Sequence, residues 1–345
     1  MTRAQFRPAD HPHEAFLLTT VVGSHPRPPW LDAIQACADD GHVEASAVDA
    51  AIDDAVRLAV RDYERAGLDV VTDGELRRDG MVEHFTAFID GYEPGTGSDG
   101  PDWNGHMPTV TDTPTATEAF LVDDFTFADG VTTRPVKVTL PGPFTFASFC
   151  SLEAYDSVEA LIADFTEVVR NEVARLVGAG ATWIQLDEPA LGMSPHVDIA
   201  RESVTRIASA VPDDVRLGLH VCSGNYDTLA PAVFDFPVDE VDLEFASDDA
   251  DPIEGVLGGV DLDIDVSVGV VDSQDKRVES VEEIRARVRE ALRVVPPDRL
   301  TLTPDCGLKP LPSDVAIAKV ERLTTAARAV ERDLDANRLQ PAVAD

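Results

Sequence analysis

The sequence predicts an α/β protein of the (βα)8 TIM barrel class, on two observations. Strand-like apolar runs and helical stretches alternate about eight times along 345 residues. No GxGxxG phosphate loop follows the first run, so the rival doubly wound open sheet lacks its usual signature. The predicted strands cover residues 17–24, 69–75, 136–141, 182–188, 216–222, 240–246, 261–271 and 300–306. Between them, residues 48–66 carry apolar side chains at helical spacing and stop at Gly67. A second helix, 158–177, starts after the capping residue Ser157 and ends at Gly178, and 281–294 follows Ser280 in the same way.

An irregular stretch, 91–114, rich in Gly, Pro and Asp and containing Trp103, reads as an insertion between strands 2 and 3, either a lid or a passive loop. The runs 120–127 and 131–138, joined through Asp129-Gly130, read as a hairpin leading into the third strand. Residues 1–14 are polar and expected to be loosely ordered, with 15–345 forming a single catalytic barrel.

Composition narrows the partners. The formal charge is −36, from 64 acidic against 28 basic residues, a surface that repels nucleic acid and anionic membranes. A hydrophobic content of 44% spread along the chain argues against disorder, leaving a strongly hydrated surface suited to concentrated salt, as in a halophilic, haloarchaeal-type cytoplasm. No signal-peptide pattern and no apolar run of membrane-spanning length is present. The four thiols, Cys37, Cys150, Cys222 and Cys306, show no compact pairing pattern, which fits a reduced cytoplasm. Cys37 and Cys150 are expected to be buried as small hydrophobes.

Four residues stand at the ends of predicted strands and can ligate a metal: His220, Cys222, Glu244 and Cys306. Side chains two apart on a strand share a face, so His220 and Cys222 can reach one ion. Two thiolates, an imidazole and a carboxylate make a donor set suited to Zn2+ and too soft for magnesium or calcium. Other strand ends supply Gly23-Ser24-His25, Asp73-Gly74-Glu75, Asp187-Glu188-Pro189 and Asp272. Carboxylates there point to a bound ammonium, and backbone N–H groups around Gly23-Ser24 to a bound carboxylate. The combination describes a site for an amino acid whose side chain approaches zinc. A thiol in that position becomes a thiolate, whose natural partner is an activated methyl group.

The runs Val22-Gly23-Ser24-His25-Pro26, Asp73-Gly74-Glu75, Ile184-Gln185-Leu186-Asp187-Glu188-Pro189-Ala190-Leu191, His220-Val221-Cys222-Ser223 and Pro304-Asp305-Cys306-Gly307-Leu308-Lys309 resemble, in order and position, the catalytic barrel of cobalamin-independent methionine synthases. The resemblance spans almost the whole chain and is to a short, single-barrel, archaeal-like form. It implies a zinc-dependent methyltransferase that converts homocysteine to methionine. It carries the zinc ligands onto His220, Cys222, Glu244 and Cys306, and homocysteine binding onto Ser24, Glu75 and Asp187; no catalytic residue is assigned beyond the zinc site. The family's glutamate ligand, here Glu244, loosens from zinc as the substrate sulfur arrives.

Two positions depart from the full-length, two-barrel bacterial enzymes. The tryptophan they place beneath the folate ring aligns with Phe149, and a histidine near the leaving group or substrate aligns with Gln274. Both changes fall on the methyl donor's side, leaving methyltetrahydrofolate polyglutamate and a corrinoid protein as alternative donors and a second single-barrel chain as a conceivable partner. A corrinoid-dependent enzyme acting on another thiol, such as coenzyme M, shares the barrel and zinc site, although Glu75 and Asp187 favour a substrate with an amino group. A non-catalytic paralogue that binds zinc or an amino acid is the remaining alternative.

Overall fold

Three helix limits fall where the capping chemistry stands. In the computed structural model, which describes residues 3–9, 11–95, 107–193, 196–222, 226–260 and 263–339, the Ser157 hydroxyl accepts the Ala160 N–H at 3.3 Å to open one long helix. Ser280 and Glu283 form a reciprocal capping box at the start of another. Gly67 closes a third in the left-handed region, φ 85°, its N–H returned to the carbonyls of the last turn.

Along the chain the elements are β1 (Leu18–Thr19), α1 (Pro29–Asp39), α2 (Ala45–Ala66), β2 (Asp90–Glu93), β3 (Thr109–Thr115), α3 (Val122–Gly130), β4 (Lys137–Pro141) and α4 (Pro143–Ser148). There follow β5 (Ser151–Leu152), α5 (Val158–Gly178), β6 (Trp183–Asp187), α6 (Pro189–Met193), α7 (Val197–Ala208), β7 (Arg216–Val221) and α8 (Tyr226–Leu229). The last elements are β8 (Glu240–Leu243), α9 (Ile253–Leu257), β9 (Asp265–Val271), α10 (Val281–Ala291), β10 (Leu300–Pro304) and α11 (Ser313–Leu339). Seven strands form one sheet in the order β1-β10-β9-β8-β7-β6-β4, and alternation with helices makes the architecture one of the (βα)8 class.

Chain contacts cluster into two units, Met1–Gly74 with Thr132–Pro135 and Asp242–Asp345, and Glu75–Val131 with Val136–Val241. In the first unit, β1 pairs parallel with β10, and β10 with β9. The expected second strand, 69–75, is reduced to a single bridge at Val71, whose N–H reaches the Pro135 carbonyl at 3.0 Å; the N–H groups of Asp69 and Val70 go to Thr19. Asp73-Gly74-Glu75 leaves the extended path because Gly74 and Glu75 both take positive φ, 72° and 54°. The start of β1 is tied to α11 through charge: Arg328 forks onto both oxygens of Asp69 at 2.7 Å, and Glu331 accepts the Leu17 N–H at 2.8 Å. A 3-10 turn, Arg3–Phe6, buries Phe6, and Arg7 donates to the carbonyls of His13 and Glu14.

In the second unit, β4 pairs parallel with β6 and β6 with β7. The insertion after the second bridge is a small sheet, β2 antiparallel to β3 and β3 parallel to β5. The expected hairpin over 120–127 and 131–138 is not formed. Residues 122–130 are α3 instead, with Asp123 and Asp124 in its first turn, where the helix dipole favours acid, and Phe125 and Ala128 buried three apart. Gly130 ends a helix rather than turning a hairpin. Glu172 of α5 receives the Phe120 and Leu121 N–H groups at 2.9 and 2.7 Å, fixing the entry to α3. Trp103, with the middle of the expected lid, and Asp261 and Leu262 of the seventh strand lie outside the described residues.

Strands buried on both faces must carry their polar side chains inward in pairs. Arg216 at the start of β7 and Glu240 at the start of β8 are both buried, with Nη2 and Oε2 2.6 Å apart. The guanidinium lies 5.0 Å from the Trp183 ring centroid. Removing one charge strands the other. Glu240→Gln is expected to lower the unfolding free energy by about 3–5 kcal/mol in denaturant titrations at fixed high KCl, and the double change Arg216→Met with Glu240→Leu to lose far less.

Candidate functional site

Side chains at the carboxyl ends of the parallel strands carry the metal-capable groups. His220 lies near the end of β7 and Cys222 directly after it, both buried; Glu244 follows β8, and Cys306 stands two residues beyond β10, each partly exposed. One ligand atom from each of His220, Cys222 and Cys306 falls within 4.8 Å of the others. Glu244 lies outside that group. A tetrahedral zinc with bonds near 2.3 Å to sulfur and 2.0 Å to nitrogen sets its ligands about 3.4–3.8 Å apart, a spacing that falls inside this 4.8 Å limit. Two thiols and an imidazole therefore fit a soft, tetrahedral ion and offer nothing to magnesium. Ser223, the last residue of the His-x-Cys-Ser run, lies outside the described residues.

Asp187 ends β6 and stands in register with His220 on β7. It receives the Gln185 amide Nε2 at 2.7 Å, and Gln185 Oε1 in turn receives the buried Lys137 Nζ at 2.5 Å. An ammonium only donates, so Gln185 must turn its oxygen to Lys137 and its NH2 to Asp187. Burial raises the Asp187 carboxyl well above the usual carboxylate range; His220, Gln185 and Lys137 pull it back, and Glu75 pushes it further up. Glu75 accepts the Thr139 hydroxyl at 2.7 Å and has the Arg78 guanidinium at 3.6 Å. It is the only non-glycine residue with positive φ among the described residues, a conformation that costs energy and here aims the side chain. Arg77, close by in the chain, pairs with Asp124 at 3.0 Å.

Glu188 does not join these groups. Its carboxylate takes the Phe144 and Thr145 N–H groups and the Thr145 hydroxyl at 3.1, 2.7 and 2.6 Å, capping α4. Burial lifts its pKa to about 7 against those donors. A Cβ on Gly142 would lie 2.0 Å from the same carboxylate, so glycine is required there.

In the first unit, Ser24 follows β1. Its carbonyl receives the Leu308 N–H at 2.8 Å, and a Cβ on Gly307 would lie 2.1 Å from its hydroxyl, so Ser24 is seated against the segment that carries Cys306. His25 is buried edge-on to Tyr63 at 5.2 Å, and desolvation drops its pKa to about 4, which makes it a neutral packing residue. Asp305, beside Cys306, accepts the Phe245 and Ala246 N–H groups at 3.0 and 2.9 Å; burial raises its carboxyl to about 7.

Several residues were not singled out by pattern. Lys137, Gln185, Thr139 and Arg78 hold the two carboxylates from behind. The one available signal was Lys137 itself, one of four lysines, placed in an otherwise uncharged strand. His84 packs on the Phe85 and Phe88 rings at 5.2 and 5.3 Å. Phe149 is buried at the end of α4, whereas Gln274 is exposed on the loop after β9, its N–H held by Asp272 at 2.7 Å. Cys150 is buried, its thiol pushed up to about 12, but Cys37, expected to be buried, is exposed on α1, whose inward face is carried by Leu31. Among the described residues, no helix is long and apolar enough to cross a membrane.

Residues 17–329 match the family described as the cobalamin-independent synthase catalytic domain. A methionine synthase of Saccharolobus solfataricus is 34% identical over 92% of this chain and 96% of its own length, and one of Pyrococcus abyssi is 34% identical over 92% and 94%. Among solved structures, the B12-independent methionine synthase from Shewanella sp. W3-18-1, in complex with selenomethionine, superposes with a TM-score of 0.78 at 26% identity, covering 93% of this chain and all of that one. A putative vitamin-B12 independent methionine synthase from Listeria monocytogenes shares the fold at a TM-score of 0.72 and 20% identity, over 90% of this chain and 96% of that one. A family match over most of the chain, with His220, Cys222 and Cys306 gathered at its strand ends, places this protein in the cobalamin-independent methionine synthase catalytic-domain family.

Proposed function

We propose that residues 15–345 act as a single catalytic barrel that transfers a methyl group to the sulfur of homocysteine, yielding methionine. The observation that carries this reading is the convergence of two thiols and an imidazole within 4.8 Å in a chain of this family. His220, Cys222 and Cys306 would hold zinc, with Glu244 as the fourth ligand in the absence of substrate. Zinc, when bound, lowers the pKa of a substrate thiol so that a thiolate is present at neutral pH.

Asp187 and Glu75 bind the homocysteine ammonium. Both are oriented before substrate arrives, Asp187 by the Gln185 amide and Glu75 by the Thr139 hydroxyl. An arriving ammonium offsets the burial that raises Asp187 and restores its carboxylate. Ser24 and the backbone around it hold the substrate carboxylate. With both ends of the amino acid held, the thiolate attacks the donor methyl carbon in line, a C–S bond forms, and the donor leaves with the bonding electrons. The Shewanella relative in complex with selenomethionine supports a product of this shape. The donor is methyltetrahydrofolate polyglutamate or a methylcorrinoid protein, and a second single-barrel chain is a further partner to be tested. The charge of −36 favours work in a salt-rich cytoplasm.

Methionine formation from homocysteine by the zinc-loaded protein in molar KCl, with the folate and methylcobalamin supplied in parallel, is the direct test. Turnover with either supports the reading and names the donor. Turnover with coenzyme M but not homocysteine overturns it, as does tight homocysteine binding with no product from any donor. Cys306→Ser is expected to abolish turnover and to lower the zinc content measured by metal analysis. Asp187→Asn should keep its zinc and raise the KM for homocysteine roughly 10–100-fold, the loss of one charge-assisted contact of about 1.5–3 kcal/mol.

A further inference from the structure

Asp305 stands immediately before Cys306, yet its side chain turns away from solvent, with 1% of its surface exposed. The carboxylate is spent on the turn that follows Glu244: Oδ1 accepts the N–H of Phe245 at 3.0 Å and of Ala246 at 2.9 Å, and Oδ2 lies 3.1 Å from the Ala246 nitrogen. The same turn is gripped from its carbonyl side. Arg287 donates through Nη2 to the Ala246 carbonyl at 3.2 Å and through Nη1 to that of Val270 at 3.0 Å. Behind Arg287 lies Glu279, 3.8 Å away, which is paired at 2.7 Å with the fully buried Lys319. A third element makes room for the contact. A Cβ on Gly269 would lie 2.3 Å from Asp305 Oδ1 and 3.1 Å from the Glu244 Cα, so only glycine lets the two backbones approach.

A carboxylate, a guanidinium and a missing side chain thus constrain one short stretch of chain. Asp305 is bonded covalently to Cys306 and by hydrogen bonds to the residues that follow Glu244. This side chain links the segment of Cys306 directly to the segment of Glu244. We propose that Asp305 is a positioning residue for the metal centre, fixing Cys306 and Glu244 relative to each other before an ion arrives, with Arg287 as its counterpart on the carbonyl side. The inference rests on the metal reading above. Ligands held in advance need no ordering when the ion binds, and loss of such outer contacts weakens metal affinity about 10–100-fold.

The substitutions Asp305→Asn, Asp305→Ala and Arg287→Met test this by cobalt(II) titration of the metal-free protein in molar KCl. Affinity is read by chelator competition, geometry by the thiolate-to-cobalt absorption, and metal-free stability by melting of the same samples. Asn keeps one acceptor oxygen and should bind about tenfold more weakly with little change in metal-free melting, and Ala about a hundredfold more weakly, both with altered cobalt absorption. Arg287→Met should weaken binding in the same direction and carries the test if Asp305→Ala fails to fold. Wild-type affinity and absorption in Asp305→Asn and Arg287→Met would overturn the proposal, as would losses that only track melting. A wild-type chain that takes up no cobalt overturns the metal reading, and this inference with it; a wild-type chain that binds while the variants bind equally overturns this inference alone.

Discussion

Charge buried inside parallel strands is the constraint on which the rest of this structure depends. A parallel sheet covered on both faces gives a polar side chain no route to water, so each must be met by a partner of complementary chemistry. The strands do this with Arg216 and Glu240 and with Lys137 and Gln185, and α11 meets the same demand with Lys319 on Glu279 and Arg328 on Asp69. Such pairs add little net stability over apolar packing, but each fixes the register of the elements it joins, since a slipped strand would leave a charge alone.

The same network reaches the carboxyl ends of the strands, where it becomes useful. Lys137 sits deep in β4, and its influence passes through Gln185 to Asp187 at the end of β6. Thr139, on the same strand, holds Glu75. Residues of one strand therefore help to orient two carboxylates that stand beyond its carboxyl end. Asp187, Glu188 and Asp305 all have carboxyls raised by burial, but their circumstances differ. Glu188 and Asp305 spend their oxygens on backbone N–H groups, whereas Asp187 has a side-chain donor on one oxygen. The same carboxylate chemistry thus takes different partners according to which donors its surroundings present.

Outside, the chain behaves oppositely. Acidic side chains crowd the surface, and several arginines there pair with them, as in the Arg285 and Arg289 contacts with Asp333. Exposed pairs of this kind are screened by salt and contribute little singly. The interior pairs are shielded from that screening, so they respond less to ionic strength than the surface pairs do.

The amino-acid sequence by itself determined the alternation of strands and helices, the caps at Ser157, Ser280 and Gly67, and the metal-capable residues, because each is encoded by neighbours within a few positions. Periodicity placed His220 and Cys222 on one face, and strand ends gathered a set of carboxylates and a hydroxyl from which the family resemblance selected Asp187, Glu75 and Ser24. Tertiary structure alone decided the rest. Asp129-Gly130 has the composition of a hairpin turn, and only Glu172, some fifty residues on, makes the preceding segment enter a helix. The second strand shrinks to Val71 because its hydrogen-bond partners, Thr19 and Pro135, are set by distant chain. Asp305 and Gly269 looked like the flanks of a motif and a strand glycine; their joint grip on the turn after Glu244 exists only once β9 and β10 lie side by side. Local pattern can name the groups that do chemistry, whereas the partners that aim them are chosen by packing between segments far apart in the chain.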